Sequence, residues 1–321
     1  MRRQLLLTPI VARAATSLML ALCAAVLPVR AHAQAGGTAP NADWTAVDEA
    51  LGRKGAAQPG DVMKYSFPRS DLQVTASGVT VKPALALGAW VAFKRISGGH
   101  TMAMGDLVLV EDEVGPVMRA LQQGGVEQTA LHNHVLHESP RVMYMHIAGH
   151  GDAAKIAQTI RSALGESRTP LGTPAAPAPP AGIELVTTAV ARALGIAGKV
   201  NGGVYQVSVP RRETIRDGRN EIPPSMGVAT AINFQPTGGG KAAITGDFVM
   251  RASEVNDVIR ALQRGGIEVS ALHSHMLTEE PRLFFMHFWG NDDAVTLAGS
   301  LHDALSRTTS RIARARFQGA R

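Results

Sequence analysis

The chain has 321 residues, 45% of them apolar but only 4% aromatic, and carries 32 basic against 26 acidic side chains for a formal net charge of +6. This composition fits a globular chain of two domains or one large one and excludes a disordered or fibrous one. The basic excess sits at the two ends, and no basic groove with interleaved aromatics occurs between them, which argues against nucleic-acid binding.

The first element is a leader. "MRRQLLLTPIVARAATSLMLALCAAVLPVRAHAQA" runs from arginines through an apolar stretch to small residues at Ala31 and Ala33. That order is a secretory signal peptide over 1–33, with cleavage expected after Ala33 and export to the periplasm or the medium. The apolar stretch is too short for a comfortable membrane span, so no integral span is expected after cleavage. Arg2 and Arg3 are compatible with a twin-arginine route. The single cysteine, Cys23, lies in this leader, so disulfide and thiolate chemistry are not expected in the mature protein. Removing the leader takes away four arginines and no acid, leaving a net charge of +2.

The rest of the chain is written twice. Residues 93–164 match 234–305 at a constant offset of 141: "EVGPVMRALQQGG" meets "EVNDVIRALQRGG", and "MGDLVL" meets "TGDFVM". Upstream, "FPR" at 67–69 meets "VPR" at 209–211. The units are placed at 41–165 and 183–306. A Pro/Ala-rich linker over 166–182 separates them and is expected to be extended, and a basic tail over 307–321 is expected to be frayed and solvated.

Within each unit the pattern predicts a short helix capped by Asp43 and stopped by Gly52. Extended segments follow near 62–67, 72–81, 89–95 and 102–110. Val114, Val117, Met118 and Leu121 then recur at helical spacing, and Gly124 and Gly125 stop that helix. A strand, a turn with Pro140 and a second strand come next, and a last helix from Asp152 turns Ile156, Ile160 and Leu164 inward. The fold class is α+β with an internal duplication. Each unit is a mixed sheet with a strand–helix–strand unit, a histidine-bearing β-hairpin and a covering C-terminal helix. Each half has its own apolar helix faces and is expected to fold alone, with a pseudo-two-fold pair as the alternative.

The hairpin reads "ALHNHVLHESPRVMYMH" over 130–146 and "ALHSHMLTEEPRLFFMH" over 271–287. Side chains alternate along a strand, so His132 and His134 share a face. A turn over 137–141 would pair His134 with Tyr144 and His132 with His146, bringing three imidazoles together in each copy; His273, His275 and His287 repeat the set. Three such nitrogens hold a divalent transition metal such as zinc and leave a position open. Glu138 and Glu279 are candidates for a fourth ligand or a catalytic general base. Asp106 and Asp247 are candidates to orient a histidine, and Arg141 and Arg282 to clamp an anionic ligand. The competing reading is a structural cluster, with histidines hydrogen-bonded at a sheet surface, a turn-capping aspartate and a surface Glu–Arg pair.

"ALHNHVLHESPR", "MGDLVL", "EVGPVMRALQQGG" and "MHIAGHGDA" together resemble the bacterial secreted family named after the mycobacterial lipoproteins LppY and LpqO. The resemblance implies an exported domain of unknown function present in two copies, and supplies no reaction, cofactor or catalytic residue. Lacking a lipid-modification cysteine, this chain departs from the lipoprotein members, which implies a soluble periplasmic form. The first reading is a metal- or anionic-ligand-binding module. The alternatives are a metal-dependent hydrolase or lyase using a turn glutamate, and an interaction protein with no site.

Overall fold

The computed structural model describes residues 43–172 and 182–312; the leader with Cys23, positions 173–181 of the linker and positions 313–321 of the tail lie outside them. The first copy opens with α1 (Thr45–Leu51), whose first amide is held by Asp43 Oδ1 at 2.9 Å and whose end is turned by Gly52 at φ 66°. Strands β1 (Ala56–Gln58), β2 (Val62–Pro68), β3 (Val74–Ala76), β4 (Val79–Val81), β5 (Gly88–Arg95) and β6 (Thr101–Val110) follow. Then come α2 (Glu111–Gln123), β7 (Glu127–His132), β8 (Glu138–Ser139), β9 (Val142–Gly151) and α3 (Ala153–Gly165). The six main strands pair in the order β1-β2-β5-β6-β9-β7, and every pairing is antiparallel.

The second copy repeats this as α4 (Thr187–Leu194), β10 (Lys199–Asn201), β11 (Val204–Pro210), β12 (Ile215–Asp217), β13 (Asn220–Ile222) and β14 (Ala229–Gly238). It continues with β15 (Lys241–Met250), α5 (Val255–Arg264), β16 (Glu268–His273), β17 (Glu279–Glu280), β18 (Phe284–Asp293) and α6 (Ala294–Leu305). Its sheet order is β10-β11-β14-β15-β18-β16. The α+β class and the duplication are therefore as the sequence predicts. Among the described residues no helix is long and apolar enough to cross a membrane.

The helices cover one face of each sheet. Val47, Leu51, Val117, Leu121, Ile156, Ile160 and Leu164 join Tyr65, Phe67, Phe93 and Leu107 in one core. Burying each such side chain contributes roughly 1.5–3 kcal/mol. The "FPR" and "VPR" arginines are structural. Arg69 is fully buried and bonds Glu113 at 2.7 Å, Asp71 at 2.8 Å and the Val108 carbonyl, and Arg211 repeats this with Glu254 and Glu213.

The opposite faces of the two sheets meet each other through exchanged arms. Between β2 and β5 the first copy sends out β3 and β4, and Thr80, Lys82, Ala84 and Leu85 exchange hydrogen bonds with Gln235, Gln206 and Asn233 of the second copy. The corresponding arm of the second copy carries Ile215, Ile222, Met226 and Val228 into one core with Val62, Ala92, Met102 and Met104 of the first. Each sheet thus has an apolar face whose cover comes from the other copy, so in the full chain the copies pack as a pair.

The segments after α3 and α6 also pack rather than run free. Arg168 N donates to Glu113, and at the same offset Thr309 N donates to Glu254, while Arg311 N reaches the Pro210 carbonyl. The first residues of the expected linker and of the expected solvated tail therefore belong to the two units.

Candidate metal centre

One transverse row of the first sheet fixes the geometry. Ser66, Trp90, Asp106, His146 and Ala130 stand side by side across β2, β5, β6, β9 and β7, and Ser208, Ala231, Asp247, His287 and Ala271 repeat the row in the second sheet. The predicted hairpin register is corrected by two residues. A bulge between Gln128 and Ala130 sets Ala130 opposite His146 and His132 opposite Tyr144. The strand stops at His132 because the following segment is drawn off as β8, which pairs with β3 of the arm. Since the slip is even, His132 and His146 still share a face. His134 reaches the same place from the turn, stacked on Tyr144 at 3.3 Å between ring centroids, as His275 stacks on Phe285 at 3.5 Å.

The two three-histidine faces are not two sites. They face each other across the pseudo-two-fold and merge into one buried cluster. His132 and His273 stack at 3.7 Å, His134 lies 3.8 Å from His287, and His146 lies 3.8 Å from His275. Two of the three groups whose donor atoms come close enough to share an ion mix the copies, His132, His134 and His287, and His132, His146 and His273, while Asp247, His273 and His287 all come from the second. Reciprocal bonds lock the interface, Thr129 Oγ1 donating to the His275 carbonyl and Ser270 Oγ to that of His134.

Ring orientation decides which nitrogens are left free. His287 Nδ1 donates to the Gly246 carbonyl at 2.7 Å and His275 Nδ1 to that of Gly227 at 3.0 Å. Each neutral ring then carries its lone pair on Nε2. His287 Nε2 faces His132 Nε2 at 3.1 Å, and His275 Nε2 lies 2.9 Å from Asp247 Oδ2, a contact that needs a proton or a cation between the two atoms. Gly246 supplies its carbonyl from a position only glycine can hold, because a Cβ there would lie 2.0 Å from the Ala231 carbonyl oxygen.

Burial and the neighbouring rings disfavour imidazolium at His132, His134, His146, His273 and His287. His132 is pushed down to about 2, and His134, His146, His273 and His287 are also lowered, burial being the first cause in each. Burial and the nearby Asp247 raise the Asp106 carboxyl well above the usual range. Among the described residues nine buried polar atoms here have no hydrogen-bond partner, including both nitrogens of His273 and the Nε2 atoms of His134, His146 and His275. At roughly 1–3 kcal/mol for each unsatisfied group, that cost alone is comparable to the whole stability of an ordinary domain.

Asp106 and Asp247 sit in the cluster as the sequence predicts, with Asp106 Oδ2 3.4 Å from His134 Nε2. Glu138 and Glu279 do not join any of the three groups. Their carboxylates accept from the amides of Val142 at 2.9 Å and Leu283 at 2.8 Å, closing the turns around Pro140 and Pro281. Arg141 is exposed, and Arg282 bonds Glu279 at 3.2 Å beside the turn, so neither clamps a ligand at the centre. The features missed in sequence are the cross-copy Thr129 and Ser270 locks and, within the second copy, the Gly227 carbonyl. The shared spacing of the copies gives no signal for contacts between them.

Glu138 has a testable consequence. Burial raises its carboxyl to about 7, so between roughly 4.5 and 7 the folded state holds a proton that the unfolded chain has released. Its contribution to stability is complete below the unfolded value and is lost as pH rises through 7. Glu138→Gln, which keeps the acceptor for Val142, is expected to match the wild type near pH 4 and exceed it by about 1–2 kcal/mol at pH 8, allowing for solvent screening. Urea unfolding at the two pH values reads this; a constant difference between the proteins would refute it.

The profile of a family described as "Domain of Unknown Function (DUF1259)" matches residues 45–166 and again residues 188–307. No curated protein matches the chain. Two solved structures show weak likeness. A trimeric bacterial microcompartment shell protein, PduB, is 14% identical over 79% of this chain and 89% of its own, with a TM-score of 0.20. EtuB from Clostridium kluyveri is 9% identical over 78% of this chain and 90% of its own, with a TM-score of 0.18. Scores this low carry no argument about shape or role.

Proposed function

The chain belongs to the DUF1259 family twice over, and on that premise we propose that it is an exported binding module holding a divalent first-row transition metal, zinc foremost, in one centre built by both copies. The motifs quoted above support kinship with the relatives named after LppY and LpqO, and the leader supports a place in the periplasm or outside the cell.

The observation that carries this reading is the pair of Nε2 atoms on His132 and His287, 3.1 Å apart with the far nitrogen of His287 tied to a carbonyl. Zinc–nitrogen bonds of about 2.0–2.1 Å place two tetrahedral ligand atoms roughly 3.3 Å apart. Fixing one ring nitrogen on a carbonyl so that the other aims inward is how metal-binding histidines are oriented. A structural cluster would instead satisfy both nitrogens, and His273 satisfies neither. The donor set of imidazoles and carboxylates without thiolate suits zinc, nickel, copper or iron. A hydrolase using Glu138 or Glu279 gains no support, because those carboxylates are occupied in the turns.

The test is elemental analysis of the untagged mature protein, purified without metal resins or chelators. Close to one equivalent of transition metal per chain is expected. Protein that is metal-free as isolated and takes up none of zinc, copper, nickel or manganese would refute the reading.

A further inference from the structure

The histidine centre is not sealed. Asp106, Asp247, His134, His146, His275 and His287 form part of the lining of a cleft of about 1150 Å³ that opens between the two sheets. Its side walls are the β2–β5 and β11–β14 edges, which the duplication makes equivalent and which have diverged. Where the first wall has Trp90 in the row with Asp106, the second has Ala231 in the row with Asp247. Where the first has Gly88 beside it, the second has Ala229. One wall therefore offers a broad aromatic face, and the other stands back with small side chains.

Each wall carries one lysine, Lys64 on β2 and Lys199 on β10, but they stand at different positions. Lys64 occupies the strand position that Gln206 holds in the second copy. The Gln206 amide is spent on the Ala84 carbonyl of the arm at 2.8 Å. The Lys64 ammonium lies over the Trp90 ring at 3.8 Å from its centroid. Among the described residues it makes no salt bridge and no hydrogen bond, although it lines the cleft and is partly buried. Asp106 attracts it without forming an ion pair, so an ammonium partly withdrawn from water over an aromatic face is only partly compensated here. An anion entering the cleft would complete it. The lining has no arginine to fork a phosphate, and the walls are largely apolar, with Leu85, Val207 and Trp90 among them.

We propose that this cleft binds a small organic carboxylate, its anionic end held between the Lys64 ammonium and the histidine centre and its apolar body against Trp90. The proposal rests on the metal reading, because Asp106 and Asp247 beside the cleft floor would otherwise repel an anion; the cation of the centre reverses that field. The carboxylate enters from the open side and reaches the centre on the face that the buried His132–His273 stack leaves to solvent. Metal and ligand chemistry thus meet at one end of the cleft, while the divergent walls choose the organic body.

Benzoate, a monocarboxylate that chelates zinc only weakly, is the probe. Zinc-loaded full-length mature protein is titrated with benzoate and with neutral benzamide by calorimetry, with zinc content measured on the same samples. Lys64→Gln, which installs the residue of the other copy, is compared with Lys64→Arg. Loss of a charge-assisted contact of about 1.5–3 kcal/mol corresponds to roughly 10–100-fold weaker benzoate binding in Lys64→Gln, whereas Lys64→Arg should stay within about threefold and benzamide should bind at least about tenfold more weakly than benzoate. Protein that holds zinc but ignores benzoate, or that binds it equally well in the wild type and in Lys64→Gln, overturns the ligand site alone. Protein that holds no zinc overturns the metal centre and this site with it.

Discussion

Replacing His287 with alanine is expected to strip metal from the whole protein, not from half of it. Two independent three-histidine sites would lose one ion of two and leave the first copy, with His132, His134 and His146 intact, at normal affinity. In the structure His287 belongs to two of the three donor groups, one of them completed by His132 and His134 of the first copy. Loss of this ligand should weaken binding by more than the 10–100-fold typical of outer-shell changes, so that metal content of the purified variant falls below about a tenth of the wild-type value. His132→Ala should do the same from the other copy. His137→Ala is the control: its side chain is exposed and outside every donor group. A variant that keeps half the wild-type metal would restore the two-site arrangement.

Chelation is expected to lower the melting temperature of the wild type by about 10 °C and to leave His287→Ala unchanged. A metal held at about a thousand times its dissociation constant stabilises the folded state by roughly 4 kcal/mol, and for a chain of this size each kcal/mol moves the midpoint by about 2–4 °C. The effect should extend to both copies, because the centre lies on their interface and one apolar core is shared between them. A single transition moving as a unit on addition of EDTA is the expected trace. If only one of two transitions moves, or none, the ion is not holding the copies together.

How much of this was legible in the chain follows from which interactions are local. Asp43 at the first helix, Gly52 after it and the 3.6-residue apolar pattern of α2 and α3 are local signals, and they placed the helices. The imidazole trio was legible because strand alternation survives any even slip, and a slip of two residues left His132 and His146 on one face. The aspartates of the "GD" pairs were legible as well, since they stand beside those histidines on the next strand. The register itself was not, because β8 pairs with β3, some sixty residues upstream. Nor was the merging of the two sites. Each copy carries the full set of donors, and nothing in either one states that its open face is completed by the other. The turn glutamates were ambiguous for a related reason. A carboxylate four residues before the amide it caps reads the same as one aimed at a metal.

The arms that cross between the copies bear on how the cleft acquired two unlike walls. A unit of this kind encoded singly would have to find a second copy by collision, and every substitution in it would appear on both sides of the axis at once. Joining the copies in one chain makes their meeting an intramolecular event, independent of protein concentration. It also uncouples the two sides: Trp90 can face Ala231, and Lys64 can face Gln206, while the histidines and aspartates at the floor stay paired. A symmetric vessel can only hold its contents; one with a distinct left and right can hold them in a single orientation.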